Sequence, residues 1–128
     1  MRKNFIRIGA ISMAIAVILG AFGAHGLKEI ISVESMKTFE TGARYHIYHS
    51  LAILLIGILL YDRKTRLMLI AGWLFVIGII FFSGSLYLLS MAEVENLPVN
   101  ILGPITPIGG VILILGWVLL AASTFQDN

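Results

Sequence analysis

The chain has 128 residues, of which 59% are hydrophobic and 12% charged, with a formal net charge of +2. Soluble domains usually contain roughly 45–50% apolar and about 25% charged residues, and a chain this small has no interior large enough to hide its apolar blocks. The composition therefore predicts a single integral membrane domain over residues 1–128. No basic, aromatic-interleaved surface indicates nucleic acid binding. Cysteine is absent, which excludes disulfides, thiolate metal sites and cysteine nucleophiles.

Span 1 is predicted at about residues 5–24. Ser12, Ala16, Gly20 and Ala24 recur every four residues, which places them on one helix face that a neighbouring helix can approach closely. The basic N-terminus and the apolar run after it also resemble a signal peptide. The run is about 17 residues, which is long for a signal peptide and adequate for a span, so we expect it to be retained.

A polar connection over residues 28–44 leads to span 2, predicted at about residues 45–61. Ser32 is a candidate N-cap for a short amphipathic helix lying at the membrane interface. The apolar edge of this helix would consist of Val33, Met36, Phe39 and Ala43. We expect the amphipathic helix to enter span 2 directly or through a bend at Gly42.

Spans 3 and 4 are predicted at about residues 67–90 and 107–125, separated by an acidic loop. Pro104 and Pro107 disfavour helix at the residues before them. We therefore expect a broken, non-helical apolar segment at residues 101–105, with Thr106 as N-cap and Pro107 as the first helical residue. The predicted fold class is an all-α membrane protein with four transmembrane helices in an up-down bundle.

Loop charges predict the orientation of the chain in the membrane. The N-terminal tail and the loop between spans 2 and 3 each have three Lys or Arg residues, the 28–44 connection has three, and the loop between spans 3 and 4 has none. The side of the membrane that holds the N-terminal tail and the loop between spans 2 and 3 therefore has six Lys or Arg residues, and the other side has three. This excess favours both termini on the cytoplasmic side.

With spans of alternating direction, four helix ends rich in polar residues meet on the outer side of the membrane. Polar residues within spans usually face the bundle interior or a cavity. The candidate ligand-binding residues are His25, Arg44, Tyr45, His46, Tyr48, His49, Ser83, Ser85, Tyr87 and Thr106. Arg44 would contact a phosphate, and the helix N-terminus at Thr106 would favour an anion. The leading hypothesis is a non-enzymatic membrane protein that binds a lipid headgroup or small ligand, or that assembles with a partner or itself.

Three other interpretations stay open. His46 and His49 are three residues apart and share a helix face, so together with His25 they could hold a metal ion or a haem. A small oligomeric permease is also compatible with the glycine-rich faces. Alternatively, the tyrosines and serines serve only as interfacial anchors and packing contacts. No nucleophile–base pair, phosphate loop or pair of carboxylates indicates an enzyme, and no cofactor is predicted.

Four motifs in sequence order are similar to those of the domain-of-unknown-function 423 family. They are GAFGAHGL at 20–27, YHIYH at 45–49, FSGSLY at 82–87 and ITPIGG at 105–110, the last followed by GW at 116–117. The resemblance covers nearly the whole chain and extends to the eukaryotic transmembrane protein 256. It implies four spans in a bacterial plasma membrane and no established activity. The motifs fall on the same four helix ends.

Overall fold

The computed structural model describes residues 1–126, which form helices and short connections. Helices α1 (Arg2–His25), α2 (Val33–Asp62), α3 (Arg66–Ser90) and, after the single turn α4 (Ala92–Glu95), α5 (Val99–Ala122) follow in order. Four of these helices, all except α4, are long and apolar enough to cross a membrane. The predicted all-α fold with four membrane-spanning helices is confirmed.

Side-chain caps start the two central helices. Ser32 Oγ accepts a hydrogen bond from the Ser35 backbone N–H at 3.1 Å, and Thr65 Oγ1 accepts one from the Met68 N–H at 3.2 Å. These bonds satisfy backbone donors that have no partner within the helix. Because only residues 63–65 separate α2 from α3, the chain reverses sharply and the two helices pack side by side.

The helices pack in a row with α2 and α3 at its centre. Extensive contacts join α1 to α2, α2 to α3 and α3 to α5, and no comparable contact joins α1 to α5 within residues 1–126. The hydrophobic core therefore follows the α2–α3 seam, with contributions from one residue each of α1 and α5. It consists of Phe5, Ala52, Ile53, Ile56, Leu60, Met68, Ala71, Phe75, Ile79 and Leu113. The C-terminal ends of α1 and α3 and the N-terminal ends of α2 and α5 form what we call the polar end of the molecule.

The helix predicted after Ser32 enters span 2 directly, which is one of the two expected arrangements, so it is not a separate element, and Ser32 is its N-cap. Helix α2 runs unbroken for 30 residues, or about 45 Å at 1.5 Å per residue. This length exceeds a hydrocarbon layer of about 30 Å. The helix is not interrupted at Gly42. Gly42 allows close packing, because a Cβ there would lie 3.1 Å from Leu86 Cβ and 3.3 Å from the Ser83 carbonyl oxygen.

The predicted break before span 4 is wrong, because α5 begins at Val99 and contains both Pro104 and Pro107. Each proline removes one backbone hydrogen bond and its ring crowds the carbonyl four residues earlier, yet the helix continues through both positions. Membrane helices tolerate such losses where neighbouring groups compensate. Thr106 is accordingly not an N-cap, and its hydroxyl instead lies 2.6 Å from Ser85 Oγ of α3.

Candidate functional site

A chain of hydrogen bonds connects α1, α2 and α3, from the middle of α1 and α2 to Tyr87 near the C-terminal end of α3. Ser12 Oγ of α1 lies 2.6 Å from Ser50 Oγ and 3.1 Å from His46 Nε2, both on α2. The other ring nitrogen, His46 Nδ1, lies 2.8 Å from the Tyr87 hydroxyl of α3. His46 and Ser50 are four residues apart and therefore share one face of α2. His46 is 5% exposed and Ser50 is fully buried, whereas Ser12 and Tyr87 are half-buried, so the hydrogen-bond chain runs from the interior to the surface.

His49 belongs to a different set of contacts. Its Nδ1 lies 2.7 Å from the Tyr45 carbonyl oxygen, and its Nε2 accepts a hydrogen bond from Trp117 Nε1–H of α5 at 3.0 Å. An indole nitrogen can only donate, so Nε2 must be unprotonated and Nδ1 must carry the proton that it donates to Tyr45. Both ring nitrogens of His49 are thus engaged, and its ring packs against Phe75 as well as Trp117.

The three histidines do not converge on one point. His46 is directed to α1 and α3, His49 to α5, and His25 is exposed at the end of α1. Since neither nitrogen of His49 has a free lone pair, this residue is unsuited to metal or haem ligation. Within residues 1–126, no group of three His, Asp or Glu side chains is placed to hold a metal ion.

Two further predicted residues tie α3 to α5. The Ser85 hydroxyl donates to the Phe82 carbonyl at 2.9 Å, which leaves its oxygen to accept the hydroxyl proton of Thr106. Nearby on α3, Ser83 is fully buried, and its Oγ has no hydrogen-bond partner in the described part of the chain. Ser85 and Thr106 thus stabilise helix packing.

The remaining predicted residues lie on the surface of α2. Arg44, Tyr45 and Tyr48 are exposed, and the Tyr45 ring packs against Tyr48 and Phe82 with ring centroids 5.8 and 5.0 Å apart. This arrangement is typical of interfacial aromatic residues. Among the ten predicted site residues, only His46 and Tyr87 belong to the hydrogen-bond chain that links α1, α2 and α3.

A lateral groove of about 500 Å³ runs between α1 and α3 over the face of α2, and His46 and Tyr87 line it. Most of its wall is apolar, and Ser12 is its third hydrogen-bonding residue. Gly84 contributes open space, because a Cβ at this position would meet no atom within 4 Å. The complete lining is Ile8, Ile11, Ser12, Ile15, Leu19, His46, Ile53, Val76, Ile79, Ile80, Gly84 and Tyr87.

Sequence reasoning missed three residues of these sites as functional candidates. Ser12 was assigned to a packing face together with Ala16, which is indeed fully buried. Its hydroxyl in an otherwise apolar span was the available signal, because such groups usually face a partner. Trp117 was recognised only as part of a motif, and nothing in the spacing predicted its bond to His49. Gly84 lies within the FSGSLY motif, and nothing in that motif predicts open space beside it.

Four apolar helices with a polar hydrogen-bond chain beside a lateral groove define a small integral membrane protein. This class agrees with the comparisons. Residues 19–110 match the family described as "Protein of unknown function (DUF423)", and the chain belongs to this family.

Full-length relatives are named as membrane proteins. A UPF0382 membrane protein of Staphylococcus aureus (strain bovine RF122 / ET3-1) is 45% identical over 124 residues, covering 97% of both chains. Another from Bacillus subtilis (strain 168) is 42% identical over 97% of this chain and 98% of the relative. A third, from Haemophilus influenzae, is 37% identical over 100% of this chain and 98% of the relative. No solved structure matches the chain.

Proposed function

We propose that this protein is a non-enzymatic membrane protein that holds a membrane-dissolved amphiphile in the groove between α1 and α3. The apolar part of the amphiphile lies along the isoleucines of α1 and α3, and its polar group reaches the Ser12–His46–Tyr87 chain. The observation that carries the proposal is the position of this hydrogen-bond chain, which lies in the wall of an open apolar groove.

The dimensions of the groove suit such a ligand. Its lining on α1 extends from Ile8 to Leu19, a helical rise of about 16 Å. This is close to half of a hydrocarbon layer of about 30 Å. The groove is open to the side, so a molecule dissolved in the bilayer can enter it without leaving the membrane.

Filling the groove tests the proposal. Gly84→Leu places a side chain in open space, and Gly20→Leu is a matched control because its Cβ also meets no atom within 4 Å while Gly20 does not line the groove. The measurement is native mass spectrometry of protein released from nanodiscs. We expect retained amphiphile mass on the wild type and Gly20→Leu, and bare protein for Gly84→Leu. Equal retention by all three proteins would overturn the proposal.

We further propose that both termini are cytoplasmic and that the polar end faces outward. The basis is the excess of Lys and Arg in the N-terminal tail and the 63–66 loop. Self-association is a separate proposal, supported by Gly103 of the outer helix α5, where a Cβ would meet no atom within 4 Å and a helix of a second copy could pack closely. The subunit count in the same mass spectra tests it, because a monomer alone would contradict it.

A further inference from the structure

We infer that the polar group bound in the groove is electrically neutral and is a hydroxyl or a carbonyl. This inference rests on the proposed function and specifies its ligand class. It differs from the anionic headgroup site at Arg44 that the sequence predicts. Two observations support it, namely the absence of countercharge and the directionality of the hydrogen-bond chain.

The groove contains no charge that could neutralise an anion. Within residues 1–126, its lining includes no Lys, Arg, Asp or Glu. Arg44 is exposed on α2 and does not belong to the lining. Moving a phosphate or carboxylate into an apolar site without a paired cation is strongly unfavourable, whereas a neutral group needs only its hydrogen bonds satisfied. The lining therefore selects against anionic amphiphiles.

The hydrogen bonds that link Ser50, Ser12, His46 and Tyr87 can all point toward Tyr87, and Tyr87 then offers a donor to the groove. Ser50 donates to Ser12, Ser12 donates to His46 Nε2, and His46 Nδ1–H donates to the Tyr87 oxygen. The Tyr87 O–H proton is then free to bond a ligand carbonyl. The imidazole has one proton in this arrangement, so no charge is created.

In the opposite direction, Tyr87 becomes an acceptor. Its O–H donates to His46 Nδ1, His46 Nε2–H donates to Ser12, and Ser12 donates to Ser50. A free lone pair on the Tyr87 oxygen then accepts a proton from a ligand hydroxyl. Reversal requires only that hydroxyls rotate and that the imidazole exchange tautomers, so a single site can bind either group.

The experiment compares probes that share one alkyl chain and differ in the polar group. Diazirine-labelled hexadecanol, hexadecanone and hexadecyl phosphate are incorporated at equal mole fraction into nanodiscs with the full-length protein, and photolabelling of groove peptides is quantified. We expect either neutral probe to label at least about tenfold more than the phosphate, since each 1.4 kcal/mol of binding free energy is a factor of ten.

Tyr87→Phe supplies the residue-level test. The variant keeps an aromatic ring, which packs against Phe39 at a centroid distance of 5.0 Å, and loses only the hydroxyl. We expect labelling by the neutral probes to fall about three- to tenfold, the range for one hydrogen bond in a membrane. Tyr48→Phe is the matched control, because Tyr48 is 51% exposed and lies outside the groove lining.

The outcomes separate this inference from the proposed function. Phosphate labelling equal to or above that of the neutral probes, or an unchanged signal in Tyr87→Phe, overturns the neutral-group inference while a groove ligand remains. If none of the three probes labels the wild type more than it labels Gly84→Leu, the proposed function itself is overturned. Preferential labelling by hexadecanol or hexadecanone supports the inference. The stronger of the two probes shows whether the site prefers a hydroxyl or a carbonyl.

Discussion

His49 shows how one residue can be held in a single chemical form by its neighbours. Trp117 Nε1–H donates to Nε2, and the Tyr45 carbonyl accepts from Nδ1–H. Trp117→Phe removes the donor and leaves a buried acceptor without a partner. We expect the free energy of unfolding to fall by about 1 kcal/mol, as is typical for a hydrogen bond between membrane helices. Steric trapping in detergent micelles measures this change.

Trp73→Phe is the matched control for this prediction. Trp73 has a similar exposure, 42% against 44% for Trp117, and packs against Phe5, but its indole makes no hydrogen bond in the described part of the chain. The same atoms are therefore removed without the loss of a bond. Equal destabilisation by the two substitutions would show that ring size, and not the bond to His49, is responsible.

At the scale of the helix, two adjacent glycines of α5 have opposite steric surroundings. A Cβ on Gly109 would lie 2.7 Å from Phe81 C and Phe82 Cα, whereas one on Gly110 would lie 3.6 Å from Phe82 Cδ2, an ordinary contact. Backbone cannot move aside as a flexible side chain can. We expect Gly109→Ala to destabilise the protein by about 1–3 kcal/mol through overpacking, and Gly110→Ala to leave stability unchanged or raise it by up to about 1 kcal/mol, because alanine is the better helix former.

Thermal unfolding in a mild detergent, followed by circular dichroism, tests this pair in parallel. Because the two variants have the same composition and lie in the same helix, differences in intrinsic helix propensity cancel. Similar melting temperatures for the two variants would contradict the close α3–α5 backbone approach at Gly109.

Helix number and type could be predicted from sequence because long apolar blocks have few alternatives in a membrane. The start of α5 could not, because the rule for residues before proline describes local preference, and the helix continues through Pro104 and Pro107. For the site, the sequence could predict which helices and which polar residues take part, but not the contacts between them. His46 and His49 have similar positions on α2, yet their ring contacts depend on Ser12 and Trp117 from other helices. Spacing along one helix carries no information about such partners.

At the scale of the whole molecule, charge distribution and helix length together predict which surfaces are outside the cell. The chain has no cysteine, so a single introduced thiol can be labelled without background. Glu95 and Lys37, at the polar end, and Lys64, at the opposite end, are exposed positions. We expect a membrane-impermeant maleimide to label Glu95→Cys and Lys37→Cys in intact cells, and Lys64→Cys only after permeabilisation.

The reverse labelling pattern would place the polar end on the cytoplasmic side of the membrane. Lys37 is the stringent position, because it lies on the turns by which the roughly 45 Å α2 exceeds a layer of about 30 Å. If Glu95→Cys were labelled and Lys37→Cys were protected, α2 would be tilted or sunk enough to cover its first turns. His46, which lies about 20 Å along α2 from Val33, would then lie still deeper in the bilayer, and the polar group of the ligand would be bound farther from the headgroup level.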